Sequence, residues 1–209
     1  TTNEWNGRLF TQLNIRLLQK PRDIQPSSGF QLFLQMDRIL NDTELQFSTE
    51  NFETRLQVLE KRRANFLGAN WYYAPFPKTN QSLRLTAQFL RQSDRRLYSN
   101  SSIIPFGFGT NPFSDSSSLG RFSSRYTIPV AYPDNGGLLV PFYMSNIFVS
   151  LFSHSLVNYD TTSQFDGAQT VIGAGVHFRF KLSNLAFDLG LGVTYNMNSN
   201  STDFIIGSF

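Results

Sequence analysis

The residues with the widest chemical range in this 209-residue chain are its two histidines, His154 and His177, and the serines around the first of them, Ser150, Ser153 and Ser155. A histidine that accepts a serine proton while an acid orients it is the machinery of ester cleavage. Spacing supplies only the Ser and His here, with no Gly-x-Ser-x-Gly elbow and no evident acid partner. Neutral packing is the commoner role for such a histidine, so a rim lipid esterase on His154 ranks third among the functional expectations. His177, between Gly175 and Arg179, is expected to join Arg179 and Asp188 in a polar interior network. Two histidines, no cysteine and no clustered carboxylates give no catalytic, metal or cofactor site to propose.

The elements that must position these side chains are extended. From residue 170, Ile172, Ala174, Val176, Phe178, Phe180 and Leu182 fall on one side of a strand, and Gly173, Gly175, His177, Arg179 and Lys181 on the other. After Ser183-Asn184 the alternation restarts, with Leu185, Phe187, Leu189, Leu191, Val193 and Tyr195 opposing Ala186, Asp188, Gly190, Gly192, Thr194 and Asn196. A soluble β-sandwich or lipocalin-like barrel would alternate too. Three features favour a membrane: strands of about nine to eleven residues recur, aromatics reach 15% with 21 Phe, and short and long connections alternate.

The same reading gives ten strands, near residues 5–18, 29–40, 43–65, 64–76, 82–97, 119–132, 138–156, 170–182, 185–196 and 202–209. Residues 43–65 also carry a helical pattern, with Ser48 as a cap and Phe52, Leu56, Leu59 and Arg63 on one face; the strand is preferred because both neighbours are strands. Asn135-Gly136 marks a hairpin turn. Residues 99–118, rich in Ser, Gly, Asn and Pro around the apolar insert Ile103 to Gly109, form a long external loop. An even strand count places connections after the first, fifth and seventh strands outside. Trp5, Trp71, Tyr72, Tyr73, Tyr132 and Tyr143 would then ring one interface, and Tyr98, Tyr126, Tyr159 and Tyr195 the other.

The expected fold is therefore all-β: one domain over residues 1–209, an antiparallel transmembrane β-barrel of about ten strands or the C-terminal strands of a larger one. Residue 1 follows no basic and apolar leader, which fits a processed form or a fragment. No run approaches the ~20 apolar residues of a membrane helix. The net charge of +3 comes without a nucleic-acid motif, so no nucleic-acid partner is expected.

The segment from Arg125 to Gly137, the closing Gly173-Ala-Gly-Val-His-Phe-Arg-Phe180 with Phe187-Asp-Leu-Gly190, and the terminal Phe209 resemble the last strands of Bacteroidota-type outer-membrane proteins. In pattern these residues are similar to the surface-antigen family of outer-membrane assembly factors. The resemblance covers about the last 90 residues; the family's amino-terminal periplasmic modules are absent, and Gly207 stands at the second-last outward position, where an aromatic is common. It implies a Gram-negative outer membrane, insertion read from Phe209, and contact with outer-membrane lipids and other envelope proteins. Arg62, Arg63, Arg95 and Arg96 are expected to face lipopolysaccharide phosphates. The leading function is a non-enzymatic structural or assembly subunit of a larger envelope complex, and the alternative is a narrow transport or ligand-entry barrel.

Overall fold

The computed structural model describes residues 8–18, 26–39, 43–49, 52–58, 63–93, 103–108, 113, 116–132, 135–136, 142–159, 166–182 and 185–207. Twelve strands lie among these: β1 (Arg8–Leu18), β2 (Ser28–Ile39), β3 (Thr43–Thr49), β4 (Phe52–Val58), β5 (Arg63–Tyr73), β6 (Ser82–Gln92), β7 (Ser118–Ala131), β8 (Asn135–Gly136), β9 (Phe142–Asn158), β10 (Asp166–Leu182), β11 (Leu185–Asn196) and β12 (Ser201–Gly207). The helical content of the described residues is one 3₁₀ turn, Pro77–Thr79. No helix among them is long and apolar enough to cross a membrane.

Nine strands form one antiparallel sheet in the order β1-β2-β5-β6-β7-β9-β10-β11-β12, and β8 pairs with β9 off that path. The expected third strand is instead a hairpin, β3 pairing with β4 in a separate two-stranded sheet. β2 consequently pairs with β5, Gln31 opposite Asn70. Alternation specifies that a segment is extended, not which neighbour it takes, and the hairpin satisfies its own backbone donors without joining the larger ladder.

Losing one strand from the path changes its parity. Connections 19–27, 74–81, 132–141 and 183–184 leave from one end of the sheet, here the near end, and 40–62, 93–117, 159–165 and 197–200 from the other, the far end. The connection after β1 is therefore on the side opposite residues 93–117, where an even count had put them together. Nine alternating strands also leave β1 and β12 running the same way, and among the described residues they do not pair with each other.

The Asn135-Gly136 signal is resolved differently too. These residues continue the ladder as β8, opposite Met144 and Tyr143, so the chain reverses after them. Gly207 opposes Gly190 and so shares its inward face, while Phe204 and Ile206 point outward. Tyr72 is buried on the inward face, whereas Trp71 and Tyr73 stack outward with ring centroids 6.1 Å apart. Tyr126 lies in register with Leu83 and, through it, Tyr73, toward the near end; Tyr159 and Tyr195 lie toward the far end. Trp5 and Tyr98 lie outside the described residues.

Which face each residue takes decides what the sheet can be. Outward positions read Leu9, Leu13, Ile15 and Leu17 on β1, Leu67, Trp71 and Tyr73 on β5, and Phe187, Leu189, Leu191 and Val193 on β11, all exposed. Inward positions include Asp37, Thr86, Thr127, Asn146, Ser150, His154, His177 and Thr194, all buried. Among the described residues 26 large hydrophobic side chains are exposed, while buried polar side chains equal buried apolar ones at 12 each. Large apolar side chains thus gather on one face of the described sheet and polar ones on the other.

The apolar core sits at the far end. Ile103, Phe108 and Phe113, from the connection between β6 and β7, join Leu90, Leu119, Leu156 and Val171 on the inward faces of β6, β7, β9 and β10. Residues 103–108 of the apolar insert are thus folded onto the inner wall.

Candidate functional site

Among the described residues the inner wall gathers polar side chains in numbers, and register brings them together. Gln31, Asn70, Thr86, Ser123 and His154 are successive partners on β2, β5, β6, β7 and β9. Thr86 Oγ1 donates to Asn70 Oδ1 at 2.7 Å, Asn70 Nδ2 to Gln31 Oε1 at 3.4 Å, and Gln31 Nε2 to Asn14 Oδ1 at 3.5 Å. His154 Nδ1 lies 2.9 Å from Ser123 Oγ. This transverse ladder satisfies polar groups that an apolar surrounding would otherwise penalise.

The expected pairing of His154 with its sequence neighbours is absent. Ser150 faces inward but bonds His177, Oγ to Nε2 at 2.7 Å, while Ser153 and Ser155 point outward, Ser155 bonding Thr170 at 3.0 Å. Both imidazoles are covered: His177 stacks on Phe148 at 4.6 Å and 4°, and His154 lies between Phe106 at 5.1 Å and Phe152 at 5.3 Å. Ser150, His154 and His177 are all nearly inaccessible. Ester cleavage needs a carbonyl to reach the serine oxygen, and Ser150 is fully covered in this structure.

Arg179 and Asp188 oppose each other on β10 and β11 and form a two-pronged ion pair, Nε to Oδ1 at 2.7 Å and Nη2 to Oδ2 at 2.9 Å. The fork of Arg suits a carboxylate in this way. Its guanidinium carbon also lies 5.8 Å from the Phe148 ring centroid, so Arg179 and His177 share one aromatic neighbour.

The loop that covers the wall is fixed by close approach. Gly107 has φ +91°, and a Cβ there would come within 2.9 Å of Val171 Cγ1 and 3.2 Å of Thr194; only glycine takes this conformation without strain. Arg121 holds the loop from below, with Nη1 3.5 Å from the Ile103 carbonyl and 3.4 Å from Gln88 Oε1, and Nε 2.8 Å from Ser123 Oγ. Arg121 thus lies on the inner face of β7.

Of the remaining expected residues, Arg62, Arg95, Arg96 and Phe209 lie outside the described residues. Arg63 is exposed at the far end of β5, where its carbonyl accepts from Ser93 N at 2.9 Å. No three of His, Cys, Asp and Glu come together among the described residues. The ladder, the Arg121 anchor and the loop over the wall were not found from sequence. The apolar insert in a polar connection was the one available signal for the loop.

Comparison with known proteins is silent: no family model, no curated protein and no solved structure matches this chain.

Proposed function

We propose that the chain is a wall of an integral β-barrel of a bacterial outer membrane, with an occluded interior, serving as a structural or assembly subunit of a larger envelope complex. The observation that carries this reading is the inverted distribution of side chains, apolar outside and polar inside, along strands of membrane-crossing length. In hydrocarbon every backbone donor and acceptor must be paired, so the free edges of β1 and β12 need partners. Direct closure would be parallel, whereas bacterial single-chain barrels are even-numbered and antiparallel. Antiparallel closure takes an odd number of further strands, which suits a barrel of about ten strands or a larger one. The surface-antigen resemblance supports this placement, with Phe209 as the insertion signal and Arg62, Arg63, Arg95 and Arg96 toward lipopolysaccharide.

Occlusion by Ile103 to Phe108 argues for a subunit over an open pore. The alternative, a narrow ligand-entry barrel, is favoured by one observation: the occluding element is a loop packed onto the wall and not part of the sheet. Reconstituted into liposomes, the chain is expected to resist alkaline extraction and to conduct no more than the bare bilayer. A monodisperse soluble monomer without detergent would overturn the membrane reading, and steady conductance would overturn the occluded one.

A further inference from the structure

The outward face of β2, β5 and β6 changes character along the strands. In its middle Leu34, Leu67, Phe89 and Gly120 stand in one row across β2, β5, β6 and β7. The Tyr159 ring lies over Gly120, where a Cβ would come within 2.3 Å of it, and its centroid is 6.0 Å from that of Phe89. These side chains border an open groove of about 390 Å³, the size of a small-molecule site. Two residues closer to the far end the row reads Met36, Asn65, Arg91 and Ser118, and Arg91 lines the same groove. Two residues beyond that, Arg38 on β2 stands directly opposite Arg63 on β5.

The near ends of the same strands are neutral on this face. There the outward positions are Phe30 on β2, Trp71 and Tyr73 on β5 and Leu83 on β6, so the cationic lip belongs to one end of the groove and not to strand ends in general. Arg63 and Arg91 are exposed. Three guanidinium groups on adjacent strands, set at the end of an apolar groove, are complementary to a molecule with a negative head that accepts arginine forks and a hydrocarbon tail. A small soluble anion would meet the arginines and leave the groove empty, and an uncharged chain would do the reverse.

We propose that this groove seats one acyl chain of a membrane lipid whose phosphate headgroup is net negative, with Arg38, Arg63 and Arg91 on the phosphate and Leu34, Leu67, Phe89 and Tyr159 against the chain. Arginine forks hold phosphate oxygens in pairs, and basic residues at a membrane surface attract anionic lipid. The site rests on the membrane reading of the sheet and adds to it a lipid held at one fixed place on the outer face.

The test is electron paramagnetic resonance of the chain reconstituted in phosphatidylcholine vesicles, doped with a lipid spin-labelled on its acyl chain, either phosphatidic acid or phosphatidylcholine. The wild-type chain is expected to immobilise a larger fraction of phosphatidic acid than of phosphatidylcholine. Arg91→Gln should lower the relative association constant for phosphatidic acid by about fivefold, and Arg38→Gln, Arg63→Gln and Arg91→Gln combined should abolish the preference. Lys78→Gln, on the 3₁₀ turn at the near end, removes the same charge elsewhere and should leave the preference intact. Leu67→Trp fills the groove, keeps the arginines and should release the labelled chain. Equal immobilisation of the two lipids by the wild-type chain overturns the site whether or not the variants fold. So does a preference lost equally in Lys78→Gln and Arg91→Gln, which would mark net charge alone, or one that survives Leu67→Trp, which would mark a headgroup contact without the groove. A chain stripped from the vesicles at alkaline pH overturns the membrane reading and the site with it, whereas a chain that stays but shows no preference overturns the site alone.

Discussion

The β10–β11 wall and the β6–β7 wall belong to one sheet, share the same alternation and face the same interior, yet they treat charge in opposite ways. On β10–β11 the inward positions include four glycines, Gly173, Gly175, Gly190 and Gly192, with one arginine matched by an aspartate directly across the ladder. On β6–β7 the inward positions are mostly polar, and one arginine faces another. The first wall is complete by itself. The second sets two arginines directly across the ladder from each other.

The comparison can be broken most directly from the outside. Leu191→Arg puts a charge on the apolar face of β11 and should cost about 2–4 kcal/mol in a bilayer-folding assay, while a neutral result would remove the lipid-facing reading. Gly173→Ala tests how tightly the β10 wall is packed. The added Cβ would lie 2.4 Å from the Phe152 ring and 2.7 Å from the Val193 carbonyl, so a loss of about 1–3 kcal/mol is expected in denaturant titration; no loss would mean that Phe152 swings away freely. Asp188→Asn leaves Arg179 without its carboxylate. Because the pair is partly exposed, with side chains at 21% and 31%, the expected loss is about 1 kcal/mol. The same loss at high salt would show that charge contributes little.

Much of the sheet was legible because strand side chains repeat every two residues. Residues 185–196 were placed with both boundaries correct, and the inward set on β2, including Gln31 and Asp37, followed from alternation alone. The β3–β4 hairpin was not legible as such. Residues 52–63 satisfied a helical period as well as an extended one, and nothing local tells an alternating segment that its partner is its own neighbour. The polar wall failed for a related reason. Asn14, Gln31, Asn70 and Thr86 lie 17, 39 and 16 residues apart along the ladder, and a shift of one position in any register would turn one of them outward. Ser123, the partner of His154, is 31 residues away from it, which is why the serines close in sequence drew attention first.

The spacing of the connections also sets an order of assembly. β10 and β11 are joined by two residues, whereas β2 reaches β5 across 40–62 and β6 reaches β7 across 93–117. Loop-closure entropy grows by about 0.6 kcal/mol per doubling of length, so the longer closures are disfavoured by roughly 2 kcal/mol relative to the shortest. Growth of the sheet should therefore start at its C-terminal hairpin and add strands toward β1, with the β6–β7 wall zipped late and the Ile103 to Phe108 segment seated only after both of its flanking strands exist. Pulse-labelled amide exchange during refolding would register this as protection at β10–β11 before β2–β5, and simultaneous protection would mean that the chain condenses as one unit.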